Sequence, residues 1–214
     1  MPRAIRIAGR AALVVGLLLA ARRLGATWGA RGDEPVAPLP GDVLVPAPEV
    51  VATRAVSIAA PPEAVWPWVV QLGQGRGGFY SYTALENLVG CDIHNAARIE
   101  PRWQTLDVGD EVRLHPEVAL RVARVDPGAA LVLQGAVPVG EKPAPYDFTW
   151  AFVLRPTADG GTRLVVRERY GYARRWAALV VQPVQLVSLV MSVRMLRGIK
   201  DRAERGVGAV PDGA

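Results

Sequence analysis

The order of apolar and polar positions divides the chain into an apolar leader and a patterned domain. Eleven consecutive residues, Ala11 to Ala21, are apolar, with Arg3, Arg6 and Arg10 before them and Arg22 and Arg23 after. No polar residue breaks that run to give it a solvent face, so it is not the pattern of an amphipathic core helix. Further on, Phe148, Trp150, Phe152 and Leu154 alternate with Thr149, Ala151 and Val153. A period of two over that length predicts a strand with one face walled by large apolar groups.

The same reasoning predicts further elements. A first strand covers 53–60, with β-branched Thr53, Val56 and Ile58. Pro61-Pro62 ends it and opens a helix over 63–72, interrupted by Pro67 and stopped by Gly73. A second short helix covers 84–89. Strands follow at 111–115, 118–125, 130–134, 147–155 and 162–169, the last two joined by the turn Asp159-Gly160-Gly161. The final helix covers 183–205, and Val184, Val187, Val190, Met191 and Met195 form its expected buried stripe. One strand, two short helices, a run of antiparallel strands and one long helix make an α+β domain. Its curved sheet must bury an apolar face, and only the last helix is large enough to cover it.

Charge sharpens the division. The pI near 9.9 suggests a nucleic-acid partner, but six arginines lie in the first 31 residues and every acidic residue comes after them. Residues 32–214 carry 19 basic groups against 20 acidic, so the domain has no general field for a polyanion. The basic groups flank the apolar run, where they favour anionic lipid headgroups. Eleven apolar residues are fewer than the roughly 17 to 25 of a spanning helix. Counted from Ile7 through Ala30, the segment suffices as a single-pass or interfacial anchor whose arginines snorkel. Residues 1–31 are therefore expected to be a membrane anchor, with a cleaved signal segment as the alternative, and 32–52, with five prolines, an extended and solvated linker. The domain is expected over 53–206 and a flexible tail over 207–214. Cys91 is the one cysteine, so no internal disulfide forms.

Candidate chemistry is sparse. The loop Gly73-Gln-Gly-Arg-Gly-Gly78 follows a helix rather than a strand and lacks Gly-Lys-Ser/Thr, so it binds neither a dinucleotide nor a nucleotide phosphate, and no cofactor is expected. Arg76 in that loop could meet an acidic headgroup. Glu86 reads as a cavity acid or base, or as the second half of a capping box begun by Thr83. Cys91-x-x-His94 and His115 invite a metal, but a structural zinc needs two paired ligand sets and one pair is present, so no metal is expected. Asn95 and Trp103 serve equally as pocket lining or as loop ties.

Three segments carry a resemblance. They are Pro62-Glu-Ala-Val-Trp-Pro-Trp-Val-Val-Gln-Leu-Gly73, then Arg76-Gly-Gly-Phe-Tyr-Ser-Tyr82 with Leu85-Glu-Asn-Leu-Val-Gly-Cys-Asp-Ile-His-Asn95, and Met195-Leu-Arg-Gly-Ile-Lys-Asp-Arg-Ala-Glu204. The chain over about residues 50–205 resembles bacterial SRPBCC proteins, the START-like and birch-pollen-allergen-like superfamily. That resemblance implies a helix-grip fold with a cavity under the last helix. The superfamily includes lipid carriers, polyketide cyclases and hormone receptors. Three readings remain open: a membrane-tethered binder of an apolar or amphipathic small molecule or lipid, a cyclase or aromatase, and a ligand-free structural module. The expected cavity residues are Trp66, Arg76, Tyr80, Tyr82, Glu86, His94, Asn95, Trp103, Trp150, Phe152 and Met191, with the mouth near loops 73–82 and 136–146. Full-length protein should fractionate with membranes. Recovery of the intact chain in the soluble fraction would remove the anchor.

Overall fold

A computed structural model describes residues 23–88, 90–136 and 144–208. The apolar run, most of the loop 136–146 and the last six residues therefore lie outside the described residues. Six strands form one antiparallel sheet: β1 (Val50–Ile58), β2 (Glu111–His115), β3 (Val118–Asp126), β4 (Ala130–Gly135), β5 (Tyr146–Pro156) and β6 (Thr162–Tyr172). Their order is β1-β6-β5-β4-β3-β2. Consecutive strands from β2 to β6 are neighbours, and β1 closes the far edge against β6. Register shifts at Arg113/His115 and Val122/Arg124 interrupt the ladder; irregularities of this kind bend a strand and increase its twist.

Between β1 and β2 lie two short helices, α1 (Pro62–Val70) and α2 (Thr83–Leu88). Proline in the first turn suits α1, since that N–H has no intrahelical partner. Pro67 neither delays nor ends the helix. The loop after it is a closed structure rather than a flexible one. Gly73 and Gly78 bridge to each other, both with positive φ, and each backbone N–H donates to the other's carbonyl at 3.0 Å.

The last helix, α3 (Ala177–Gly208), starts earlier than the sequence suggests and runs through Pro183. Ala177 and Val181 are buried, so packing holds the turn that the proline weakens by removing one intrahelical bond. The expected stripe needs correction. Met195 is buried, as are Leu196, Ile199 and Ala203, but Val187 is 63% exposed and Val190 50%. The C-terminal half of α3 packs tightly, and the N-terminal half does not. Close approach explains the difference. A Cβ on Gly198 would collide with the Tyr80 carbonyl oxygen, so the helix touches the backbone of the 73–82 loop there.

Residues 32–49 are not an extended, solvated linker. They turn back over the convex face of the sheet, with Leu39 and Val45 buried. Three outward positions of β6 hold them. Arg163 pairs with Glu34 at 2.7 Å, and Arg167 pairs with Asp42 at 2.7 Å while donating to the carbonyls of Ala37 and Glu34. Arg169 donates to the carbonyl of Val45. Leu39 then joins Ala55, Ala130, Val153 and Val165 in a second small core on the outer face. The Arg163 guanidinium is the main cause that lowers the Glu34 pKa. The contact extends upstream: Ala55 N–H donates to the Trp28 carbonyl, and Arg54 Nε to the Gly25 carbonyl at 3.1 Å.

Two stability outcomes follow from this packing. Ile199→Asp places an unpaired charge in the tight half of α3 and should cost roughly 3–5 kcal/mol; an unchanged urea midpoint would show the helix is not core. A chain beginning at Arg23 should melt higher than one beginning at Asp33, which loses the Trp28 and Gly25 carbonyls. Equal melting temperatures would mean those bonds contribute nothing.

Candidate functional site

The loose half of α3 and the concave face of the sheet enclose a cavity of about 580 Å³. Its apolar wall is built by period. Phe148 and Trp150 come from the inward positions of β5, and Val184, Met191 and Met195 from one side of α3. Phe79 and Leu114 close the end toward α2. Phe152 continues the β5 row but lies below the cavity floor, wholly buried, with its ring 4.8 Å from that of Trp150.

One inward position of β6 is charged. Glu168 takes the place that Leu164 and Val166 hold earlier on the same face, and it lines the cavity. Arg54 Nη1 donates to its Oε1 at 2.9 Å, Ser188 Oγ lies 2.6 and 2.7 Å from its two oxygens, and Ser192 Oγ is at 3.1 Å. The Tyr170 hydroxyl is 3.2 Å away. Every oxygen of this carboxylate has partners, which is what a buried charge requires. Burial is the main cause that pushes the Tyr170 hydroxyl pKa well up, and Glu168 adds to it.

Glu86 is the opposite case. It is 7% exposed, lines the cavity, and its Oε2 has no partner among the described residues. Burial raises its pKa to about 7. It is not part of a capping box, because the N–H groups of Leu85 and Glu86 donate to the Tyr82 carbonyl and Thr83 Oγ1 accepts from Asn95. Trp150 Nε1 is likewise buried and unpartnered. The Cys91 thiol, on the same wall, is pushed up by burial and then by Glu86. An apolar cavity thus offers one acid that changes charge near neutrality and one free N–H donor.

Glu86, Trp150 and Met191 are the expected residues that line the cavity. The others have different roles. Tyr80 is buried with φ of 56°, accepts a hydrogen bond from Gln71 Nε2 at 2.8 Å, and lies under the Arg202 guanidinium. Asn95 accepts from Tyr80 N–H at 2.6 Å and donates to the Ser81 carbonyl, so it braces the loop that carries Ser81 into the wall. Arg76 donates to the carbonyls of Val70 and Trp103, and burial lowers its pKa. Trp103 lies in a 3-10 turn beneath Arg102, and Trp66 packs half-buried against the core. Tyr82 is exposed, and His94 faces outward beside Asp92. Among the described residues no three His, Cys, Asp or Glu side chains gather as a metal site. The cavity does not reach Arg76, and residues 137–143 of the other expected mouth loop lie outside the described residues.

Glu168, Ser188 and Ser192 escaped the sequence reading although their signal was present. A glutamate stands in register with Leu164 and Val166, and two serines stand four apart beside Met191 and Met195. Polar groups at inward positions mark a site or a buried network.

No family model and no curated protein matches the chain. Solved structures do. Protein NE0264 from Nitrosomonas europaea is 14% identical, covers 79% of this chain and 99% of its own, and superposes with a TM-score of 0.50. The Polyketide_cyc-like protein Cgl2372 from Corynebacterium glutamicum is 14% identical over 77% of this chain and 97% of its own, with a TM-score of 0.41. Ara h 8.0201 is 12% identical over 72% of this chain and 97% of its own, with a TM-score of 0.40. The likeness to NE0264, with an antiparallel sheet packed against the long last helix, shows a helix-grip fold.

Glu86 gives a signed pH outcome. Its native pKa of about 7 exceeds the ordinary 4.5, so both states are neutral below 4.5 and the native state alone holds the proton as pH rises to 7. Stability therefore falls across that window, by up to ~3 kcal/mol. Glu86→Gln should remove this loss, so the variant gains on the parent between pH 4.5 and 7 in urea titrations. A constant difference between the two proteins would place the Glu86 carboxyl in water.

Proposed function

We propose that this chain is a membrane-tethered domain that binds one apolar or amphipathic small molecule or lipid between its sheet and α3. The cavity carries the reading. Its volume of about 580 Å³ lies within the range of small-molecule sites. Its wall is mostly apolar, and the charged group that the sheet places in it is already neutralised by Arg54. Two orphaned polar atoms, Glu86 Oε2 and Trp150 Nε1, suit a ligand with a single polar end. The tether rests on the run Ala11 to Ala21 and its flanking arginines.

Glu86 also favours a second reading, a cyclase or aromatase type of enzyme. A carboxyl that titrates near 7 inside an apolar cavity can give a proton to a ligand oxygen and take one from a ligand carbon. The two readings separate on turnover. In a carrier, Glu86→Gln changes affinity and leaves the extracted ligand unaltered; in an enzyme, it leaves bound substrate where the parent holds product.

A fluorescent fatty acid should bind the full-length protein near one-to-one. Val184→Trp, at the cavity wall, should abolish that binding without changing the circular dichroism spectrum. Native mass spectrometry of the purified protein should show a co-purifying apolar compound. Absence of both binding and compound would leave a ligand-free structural module.

A further inference from the structure

The N-terminal half of α3 carries a second apolar face that the cavity does not use. Leu179 is 78% exposed and Leu186 67%, and with Val190 they fall on one side of the helix. Val184 and Val187 connect this stripe to the cavity, since both line its wall and both are exposed. The stripe therefore runs up to the rim of the cavity.

Charge along this stretch of sequence is one-sided, although Glu49 lines the adjoining groove and Arg194 lies 3.9 Å from Asp201. From Arg169 through Lys200 the chain contains no Asp or Glu, while exposed Arg174 and Arg175 precede α3, and Arg194 and Arg197 follow the stripe. Trp176 stands at its start, 37% exposed. An apolar stripe with arginines at both ends and tryptophan at its margin is the pattern of a helix lying in a membrane interface. A second copy of the chain is a poorer occupant, because either alignment of two such stripes brings arginine against arginine. Crossing the bilayer is also excluded by packing. α3 is long and apolar enough to span, but its C-terminal half is locked in the core through Leu196 and Ile199.

The position of Gly25 is the independent observation. Gly25 packs on Leu189, and a groove of about 490 Å³ lined by Gly25, Ala26, Leu186 and Leu189 lies beside the stripe. The chain enters the domain at this groove, directly after the apolar run and Arg22.

We propose that the exposed stripe of α3 lies in the surface of an anionic bilayer, so that the cavity rim opens into lipid and the ligand exchanges without crossing water. This rests on the tethered binding-domain reading above. The experiment uses full-length protein with Cys91→Ser, carrying an environment-sensitive fluorophore at Leu186→Cys or, as a distal control in the β5–β6 hairpin, at Ala158→Cys. It is reconstituted in phosphatidylcholine vesicles containing phosphatidylglycerol. The label at 186 should shift to the blue and be quenched by brominated lipid, while the label at 158 should be quenched by aqueous iodide. Iodide quenching at both positions, with the protein still sedimenting with vesicles, would overturn the proposal and leave the tether standing. A label at 186 shielded from both quenchers would also overturn it, and would show that the first 22 residues or a second copy cover the stripe. Protein that fails to sediment would overturn the tether and this proposal together.

Discussion

The domain is organised around one buried charge. Glu168 projects from the concave face of β6 into an otherwise apolar space, and a carboxylate there is tolerated only if several donors converge on it. Arg54 comes from β1, Ser188 and Ser192 from α3, and Tyr170 from β6 itself. Arg54 in turn donates to the Gly25 carbonyl. This ion pair therefore joins the edge strand, the sheet centre, the long helix and the upstream segment at a single point. A pair of this kind adds little net stability over apolar packing, but it permits few alternative arrangements. The rotation of α3 about its axis is set by where its two serines must lie.

That constraint also separates the two halves of α3. Downstream of Ser192, small residues let the helix touch its neighbours: Gly198 lies against the Tyr80 backbone, and Ala203 is buried. Upstream, the serines hold the helix at the distance of a hydrogen bond from β6. The side chains on either side of them, Val184, Val187 and Met191, line the cavity, and Met191 Sδ lies 3.5 Å from the Ser81 hydroxyl. The polar contact thus forms part of the cavity wall, since Glu168, Ser188 and Ser192 all line it.

The fold was legible in the sequence because its signals are periodic. β5 shows the alternation directly, β2 begins and ends where expected, and the Asp159-Gly160 turn sets the long β5–β6 pairing. The start of α3 was not legible, since Pro183 looks like a boundary and only burial of Ala177 and Val181 carries the helix through it. The site was read less well. Tyr80, beside the glycine loop, looks like cavity lining but is spent on loop structure. Glu168, Ser188 and Ser192, which do enter the cavity, sit inside regular elements, where they look like interruptions of an apolar pattern. Residues 32–49 misled for a related reason. Their prolines and acids read as a solvated spacer, and nothing local shows that the partners of Glu34 and Asp42 lie more than a hundred residues away on β6.

Those three arginines of β6 have a mechanical consequence. A flexible spacer of the length of residues 32–52 would let its two ends separate by ~25 Å on average, and the domain would sweep a wide volume about whatever holds its N-terminus. Fastened along Arg163, Arg167 and Arg169, and again at Gly25, the segment has no slack to give. The domain is mounted rather than leashed: a pull applied at Arg23 would load several ion pairs side by side instead of uncoiling a spring.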